Sequence, residues 1–386
     1  MMPLAQRLAA RIRAEGPLRF DAFQEAALYD PEGGYYERAG RVGRSGDFVT
    51  GPSWHPAFGR TIARIARRLR EEGRGEEESS LKVKEGAPRA LRAPTDVVDV
   101  GAGEGELLSA ADAALRGWGV RDDFRLAGVE RSAVRRERAE QNCPGAAWLS
   151  SLEEISSPVS GLVVAYELFD ALPVRALLFE GEKLLERVVT LAPGGAGFAW
   201  GLAECADGEA LLEGLRERGI HLLRNQKLEI RTGASRVAAE LASRLSRGIL
   251  LVFDYGAPAR ALYSAARANG TLEAFVSHGV TRDVLTDPGS RDLTAWVDFS
   301  ELADAFTAAG LSVAGPVSQS RVLAAGGIFE ELGVDPAAVP DAGREADRRA
   351  AAALVQPGGM GESIRVLIAS RGTALGSALS SWTRPA

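Results

Sequence analysis

Cysteine and histidine are scarce in this chain. Only Cys143 and Cys205 occur, far apart and outside any CxxC spacing, so neither a disulfide framework nor a zinc site is indicated. A reducing compartment, the cytoplasm, is the simplest fit. His55, His221 and His278 are scattered, with no HxxxH or HExxH spacing to put two ligands on one helix face, so metal catalysis has no support. Long apolar runs are missing too: none approaches the ~20 residues that span a bilayer. Positive charge is not in excess, since 46 Lys+Arg against 52 Asp+Glu leaves a formal net charge of -6. Without basic stretches interleaved with aromatics, nucleic acid is not an expected partner. No internal repeat is found.

What is present is a chain of 386 residues, 46% hydrophobic, long enough for one elaborated α/β domain or two smaller ones. Its most informative stretch is 95–105, Thr-Asp-Val-Val-Asp-Val-Gly-Ala-Gly-Glu-Gly. The apolar, β-branched run from Val97 to Val100 reads as a strand buried on both faces. Gly101, Gly103 and Gly105 let the backbone approach a ligand, and a helix from Glu106 to about 116 turns its N-terminus toward the same ligand. A dinucleotide fingerprint is spaced GxGxxG to seat a pyrophosphate, whereas this turn is GxGxG. Asp99 ends the strand with a carboxylate that would repel a pyrophosphate and suits a cation. S-adenosylmethionine (SAM) carries an ammonium and a sulfonium and no phosphate. The next strand, 124–130, ends in Glu130, placed to accept both ribose hydroxyls.

Alternation continues as helix 132–142, short strand 146–149 and strand 161–166, which implies a parallel sheet. Two apolar stretches, 175–180 and 183–191, read as an antiparallel hairpin with a Gly-rich continuation to Leu202. Helix 234–246 leads into strand 249–255. Residues 257–297 are rich in small and polar residues and are expected to include a lid. Asp298 or Ser300 caps a helix that stops at Gly310, and strands at about 311–318 and 363–369 complete the sheet. At the other end, Leu4, Leu8 and Ile12 make a first helix despite the arginines that imitate a transit peptide. Residues 16–36 are dense in turn and aromatic residues, and 43–52 form a Gly-rich loop. Trp54, Phe58, Ile62, Ile65 and Leu69 form one buried stripe of a long helix. Residues 71–94 lack an apolar period and read as a linker or mobile insertion. The expected division is an N-terminal helical cap with this linker over 1–94. A catalytic domain over 95–386 follows, with insertions at about 175–233 and 257–297.

Several blocks together resemble the family of SAM-dependent methyltransferases that includes the mitochondrial complex I assembly factor methyltransferase and its bacterial relatives. They are Ala-Leu-Tyr-Asp-Pro-Glu-Gly-Gly-Tyr-Tyr at 27–36, Gly-Asp-Phe-Val-Thr at 46–50, the Asp99 to Gly105 turn, and Glu-Leu-Phe-Asp-Ala-Leu-Pro-Val at 167–174. Downstream come Asp254-Tyr-Gly, Asp-Leu-Thr-Ala-Trp-Val-Asp-Phe at 292–299, and Met360-Gly361. Each block is weak alone, but their order over nearly the whole chain is specific.

The resemblance implies a class I methyltransferase fold, an α/β Rossmann-like seven-stranded sheet with an N-terminal helical cap and insertions that shape the acceptor site. It implies SAM as cofactor, with Gly101, Gly103 and Gly105 along the methionine moiety and Glu130 on the ribose. Asp47 and Thr50 would close over cofactor or acceptor, although an Asx turn and a helix-capping threonine explain them as well. The acceptor it implies is a nitrogen of a protein arginine. Glu167 and Asp170, three apart before Pro173, are the candidate catalytic carboxylates, one gripping the guanidinium and the other orienting the attacking nitrogen. Asp254 ends a strand at the same crevice or caps the next turn, and His278 is a candidate base through its place in the expected lid.

Departures from the family pattern are Tyr166 for an asparagine, Ser53 for a glutamate and Trp296 for a histidine, with Asp99 for a glutamate and Ala102 for a proline. The first three would change polarity around an acceptor. A small-molecule N- or O-methyltransferase is therefore one alternative. A catalytically degenerate SAM-binding assembly protein is another, and a nicotinamide-dependent oxidoreductase is disfavoured by GxGxG.

Overall fold

The computed structural model describes residues 2–38, 50–80, 93–276, 279–331 and 342–373. The chain forms two compact units: one comprises 50–167, 238–253 and 303–386, the other 1–49, 168–237 and 254–302.

The first unit is built on seven strands of an eight-stranded sheet, whose eighth strand, Val297–Asp298, runs parallel beside Gly256–Ala257 in the other unit. Its strands are β1 (Thr95–Val100), β2 (Phe124–Val129), β3 (Ala147–Leu149), β4 (Val159–Tyr166), β5 (Leu245–Ala257, whose last residues enter the second unit), β6 (Ser312–Ser318) and β7 (Ile364–Arg371). Their order is β6-β7-β5-β4-β1-β2-β3. Strands β1 to β5 run parallel, and β6 is antiparallel to β7. Because helical crossovers cover both faces of such a sheet, its central strands are mostly apolar, with Asp99 and Asp254 as buried exceptions. Residues 97–100 of β1, 161–166 of β4 and 248–254 of β5 are accordingly buried without a break. The register pairs Val100 with Val129 on one side and Ala165 on the other, so the turns after β1, β2 and β4 open at the same edge.

The predicted long helix is interrupted at His55–Pro56. A short helix α1 (Gly51–Trp54) precedes α2 (Ala57–Ser80), since Pro56 disfavours helical backbone at the residue before it. Phe58, Ile62, Ile65 and Leu69 are buried along α2, each aromatic or aliphatic side chain contributing about 1.5–3 kcal/mol. The expected linker begins later than its composition implied: residues 71–80 continue α2, and 81–92 lie outside the described residues. Helices α3 (Glu106–Gly117) and α4 (Ala133–Asn142) follow β1 and β2 as the alternation predicted, and α5 (Gln319–Gly326) follows β6.

In the second unit the hairpin Arg175–Phe179 and Leu184–Leu191 is antiparallel, as expected. The Gly-rich continuation is itself a strand, Phe198–Glu204, paired along Leu184–Leu191, and Gln226–Ile230 adds to the other side. The helices Leu4–Glu15 and Phe20–Tyr29 bury Leu4, Leu8, Ile12, Phe20, Phe23 and Leu28 against Val174, Ala176 and Val189. The stretch expected to include a lid contributes to the core. It contains the antiparallel strands Glu273–Val276, Gly279–Thr281 and Asp292–Thr294, and it buries Leu272, Ala274, Val284 and Leu293 in the same core. Of the two proposed caps for the helix Phe299–Ala308, Asp298 serves, accepting the amides of Ser300 at 2.9 Å and Glu301 at 3.4 Å.

Candidate active site

The glycine turn after β1 is a preformed cradle. Gly101, Gly103 and Gly105 all have positive φ, +76°, +58° and +86°. Gly105 cannot be replaced on steric grounds as well, because a Cβ there would stand 2.8 Å from the Trp148 ring and 3.1 Å from Ala139 Cβ. The amides of Gly101 and Ala102 both donate to the Val129 carbonyl, at 2.9 and 3.1 Å, which hooks the turn to the end of β2. Glu130 completes the hook. One carboxylate oxygen accepts the Gly103 amide at 2.9 Å and the other the Ser132 amide at 2.8 Å. On its outer side Gly103 is open, with nothing nearer to a notional Cβ than Glu106 Oε2 at 4.0 Å. Helix α3 begins at Glu106 without a side-chain cap on Gly105, and the Glu106 carboxylate bonds back to the amides of Glu104 and Glu106.

Asp99 supplies the charge of this cradle. It is 3% exposed, and among the described residues no donor is hydrogen-bonded to its carboxylate. Burial, reinforced by the charges of Glu106 and Glu130, pushes its pKa up to about 8. A buried carboxylate with same-sign neighbours is completed by a cation. A cofactor bearing an ammonium and no phosphate fits this arrangement, whereas a pyrophosphate would meet three carboxylates.

The sequence family described as "Putative S-adenosyl-L-methionine-dependent methyltransferase" matches residues 83–317, more than half of the chain. The chain belongs to this family of SAM-dependent methyltransferases. A Burkholderia thailandensis protein whose crystal structure holds S-adenosyl-homocysteine (SAH) is similar along 96% of this chain and 92% of its own. The two are 30% identical, with a TM-score of 0.80. The curated protein "Protein arginine methyltransferase NDUFAF7 homolog, mitochondrial" of Drosophila melanogaster is 28% identical over 351 residues, 83% of this chain and 74% of its own. Its counterpart from Rattus norvegicus is 26% identical over 350 residues, 86% and 76% respectively.

In this methyltransferase the sequence-predicted residues lie in several parts of the fold. Asp99, the three glycines and Glu130 are gathered around the turn after β1. Thr50 caps α1: its Oγ1 accepts the Ser53 amide at 3.4 Å while Ser53 Oγ accepts the Thr50 amide at 3.0 Å, a reciprocal capping box. Asp47 and His278 lie outside the described residues. Glu167 follows β4 with its amide on the Phe253 carbonyl at 2.8 Å, and its φ is +49°. A glutamate in the left-handed region costs about 1–2 kcal/mol, and such outliers collect at functional sites.

Asp170 belongs to the other unit, 6% exposed in the loop 168–173. The carboxylate of Asp254 holds that loop. Its Oδ2 accepts the amides of Phe169 at 2.9 Å and Asp170 at 3.2 Å, and Oδ1 accepts Tyr255 at 2.9 Å. Capping is thus the role seen for Asp254. Burial pushes its pKa up, opposed by Arg231 and the three amides.

The departures from the family pattern are engaged inside the fold. The Tyr166 hydroxyl accepts the Gly51 amide at 3.1 Å and donates to Gln319 Oε1 at 3.0 Å, with its ring stacked on Phe253 and edge-on to Phe58. Ser53 sits in the capping box. The indole of Trp296 packs against the cluster of Leu262 and Tyr263, with the Arg267 guanidinium 4.3 Å above the ring. The polar atoms of Tyr166 and Ser53 are thus engaged in local hydrogen bonds, and Trp296 is engaged through its ring.

Two buried residues escaped the sequence reading. Arg231, 5% exposed, donates to four carbonyls, and Glu229, 7% exposed, accepts the amide and hydroxyl of Thr271 at 2.7 and 3.0 Å. Their alternation with Leu228 and Ile230 mimics a half-solvated strand, and the signal that separates the two cases is the pairing partner, which sequence does not give. Among the described residues there is no group of three or more side chains able to hold a metal, and no helix long and apolar enough to cross a membrane.

Proposed function

We propose that this methyltransferase transfers its methyl group to a guanidinium nitrogen of an arginine in a protein. The observation that carries the reading is Glu167, a carboxylate kept in left-handed backbone at the end of β4, one strand from the glycine turn. The names of the curated relatives, protein arginine methyltransferases, support it. The cofactor supplies an electrophilic methyl on a sulfonium when bound. Asp99 holds its amino-acid end, Gly101, Gly103 and Gly105 admit it to close backbone approach, and Glu130 takes the ribose while keeping the turn in shape. Thr50 and Asp47 are assigned to the cofactor side as well. Glu167 and Asp170 are assigned to the acceptor, one pairing with the guanidinium as a fork and the other orienting the attacking nitrogen and receiving its proton. Cys143 and Cys205 are free and buried, which fits a reducing compartment, the cytoplasm.

The test is transfer of label from methyl-tritiated SAM by the purified chain to protein extracted from cells lacking the gene, with a metabolite extract in parallel. Methylarginine should carry the label, and Lys should not replace the target Arg because it presents no planar fork. Label confined to the metabolite fraction would overturn the arginine reading and establish a small-molecule acceptor. No label in either fraction, with SAH still bound, would establish the degenerate binding protein.

A further inference from the structure

We propose that Arg231, working with Asp254, is the positioning residue that fixes the backbone of the Asp170 loop for acceptor binding. The inference rests on the assignment of Asp170 to the acceptor. The guanidinium of Arg231 donates through Nε to the Leu172 carbonyl at 3.1 Å and through Nη2 to the Asp170 carbonyl at 3.1 Å. On the neighbouring segment it reaches the Ala295 carbonyl through Nη2 at 2.8 Å and the Trp296 carbonyl through Nη1 at 3.3 Å. The amides of the same loop are held by Asp254, and the Ala295 amide donates to the Asp170 carbonyl at 3.4 Å. Asp170 therefore has its amide on one charged group and its carbonyl on another, so its side chain leaves a backbone that cannot pivot.

A buried charge pair is a poor way to gain stability, since desolvation offsets attraction and apolar replacements are often as stable. What it supplies is geometry. Four carbonyls from two segments can be satisfied together only by a planar donor whose N–H bonds diverge at fixed angles. An ammonium offers three donors from one point and cannot reach all four. The loop's amides and carbonyls are thus paired to a rigid cation and a rigid anion that are themselves in electrostatic contact.

The experiment compares Asp170→Asn, Arg231→Lys and Asp254→Asn in the full chain. Three readouts are used: SAH calorimetry, hydrogen exchange of the Phe169 and Asp170 amides, and labelling of arginine in the protein extract at varied extract concentration. Arg231→Lys should bind one SAH per chain with affinity within about twofold, while the two amides lose protection and transfer drops about tenfold or more with a raised acceptor KM. A purely structural role would instead lower the SAH stoichiometry and the rate together, leaving KM unchanged. Where Arg231→Lys does not fold, Asp254→Asn decides by the same readouts. If Asp170→Asn is impaired while the folded clamp variants keep wild-type KM and protection, the positioning role is wrong. If Asp170→Asn transfers at the wild-type rate, the assignment of Asp170 to the acceptor fails, and the positioning role fails with it.

Discussion

Glu130 reaches back from the end of β2 to accept the Gly103 amide at 2.9 Å, so the acid assigned to the ribose is also a strut of the glycine turn. Replacing Glu130 by Ala should weaken SAH binding by roughly 1.5–3 kcal/mol, combining lost charge-assisted bonds with a loosened turn. Glu130→Gln should fall between, because its amide oxygen can still accept from Gly103. Calorimetry with SAH decides. Wild-type affinity in Glu130→Ala, or comparable affinity of the wild type for NAD, removes the basis of the cofactor assignment.

Asp99 makes binding pH-dependent. Its folded pKa is raised to about 8 by burial, with Glu106 and Glu130 adding to the shift. Unfolded, the same carboxyl ionises near ~3.9. Between those values the folded chain free of cofactor holds a proton that the unfolded chain has released. The stabilising contribution is therefore full below the unfolded value and is lost as pH rises through about 8. An ammonium set against Asp99 favours the ionised form, so binding releases a proton in that window and tightens as pH rises. SAH affinity should increase from about pH 6 to about pH 8, with proton release visible as a dependence of binding heat on buffer ionisation enthalpy. Asp99→Asn should remove both effects. A wild type whose SAH affinity is flat over that range contradicts the placement of the cofactor's ammonium at Asp99.

Glu167 separates strain from chemistry. At φ +49° an alanine keeps the backbone cost and a glycine relieves it. Glu167→Gly should therefore be about 1 kcal/mol more stable than Glu167→Ala in urea, at equal m. Both should bind SAH nearly as the wild type does and lose arginine labelling. Loss of SAH binding by a folded variant would show that Glu167 serves the cofactor instead.

The sheet was legible because its signal is local. Val97 to Val100, the GxGxG turn and the start of β2 leading to Glu130 are close in sequence, and a strand buried on both faces is mostly apolar. Elements missed were those whose pattern depends on tertiary context. The helix Phe20–Tyr29 hides among aromatics that pack on Trp200 and Phe198, and Gln226–Ile230 reads as polar although Gln226 and Glu229 are buried. Residues 71–80 lack an apolar period yet continue α2, since a helix already nucleated extends at little cost per residue. At the site, the glycine turn, Asp99 before it and Glu130 at the end of the next strand were readable from spacing. The partners of Asp254, Tyr166 and Trp296 were not, because hydrogen bonds between residues 85 or 153 apart leave no mark in a single sequence.

Tyr166 offers the sharpest test of what a departure from the family pattern means. Its hydroxyl bridges Gly51 at the start of α1 to Gln319 at the start of α5, and a Cβ on Gly51 would stand 2.5 Å from that oxygen. Tyr166→Phe leaves a buried amide and a buried side-chain carbonyl without partners, so it should cost about 1–3 kcal/mol in denaturant unfolding. Gly51→Ala should destabilise as well, by pushing the phenol off both partners. Tyr166→Asn, which restores the family's residue, should cost more than either, because the ring's space between Phe58 and Phe253 is emptied. In all three the labelled product should be the same as in the wild type, with only the folded fraction changed. If Tyr166→Phe is as stable as the wild type and the label moves from protein arginine to another acceptor, the tyrosine is a specificity residue and its internal hydrogen bonds are incidental.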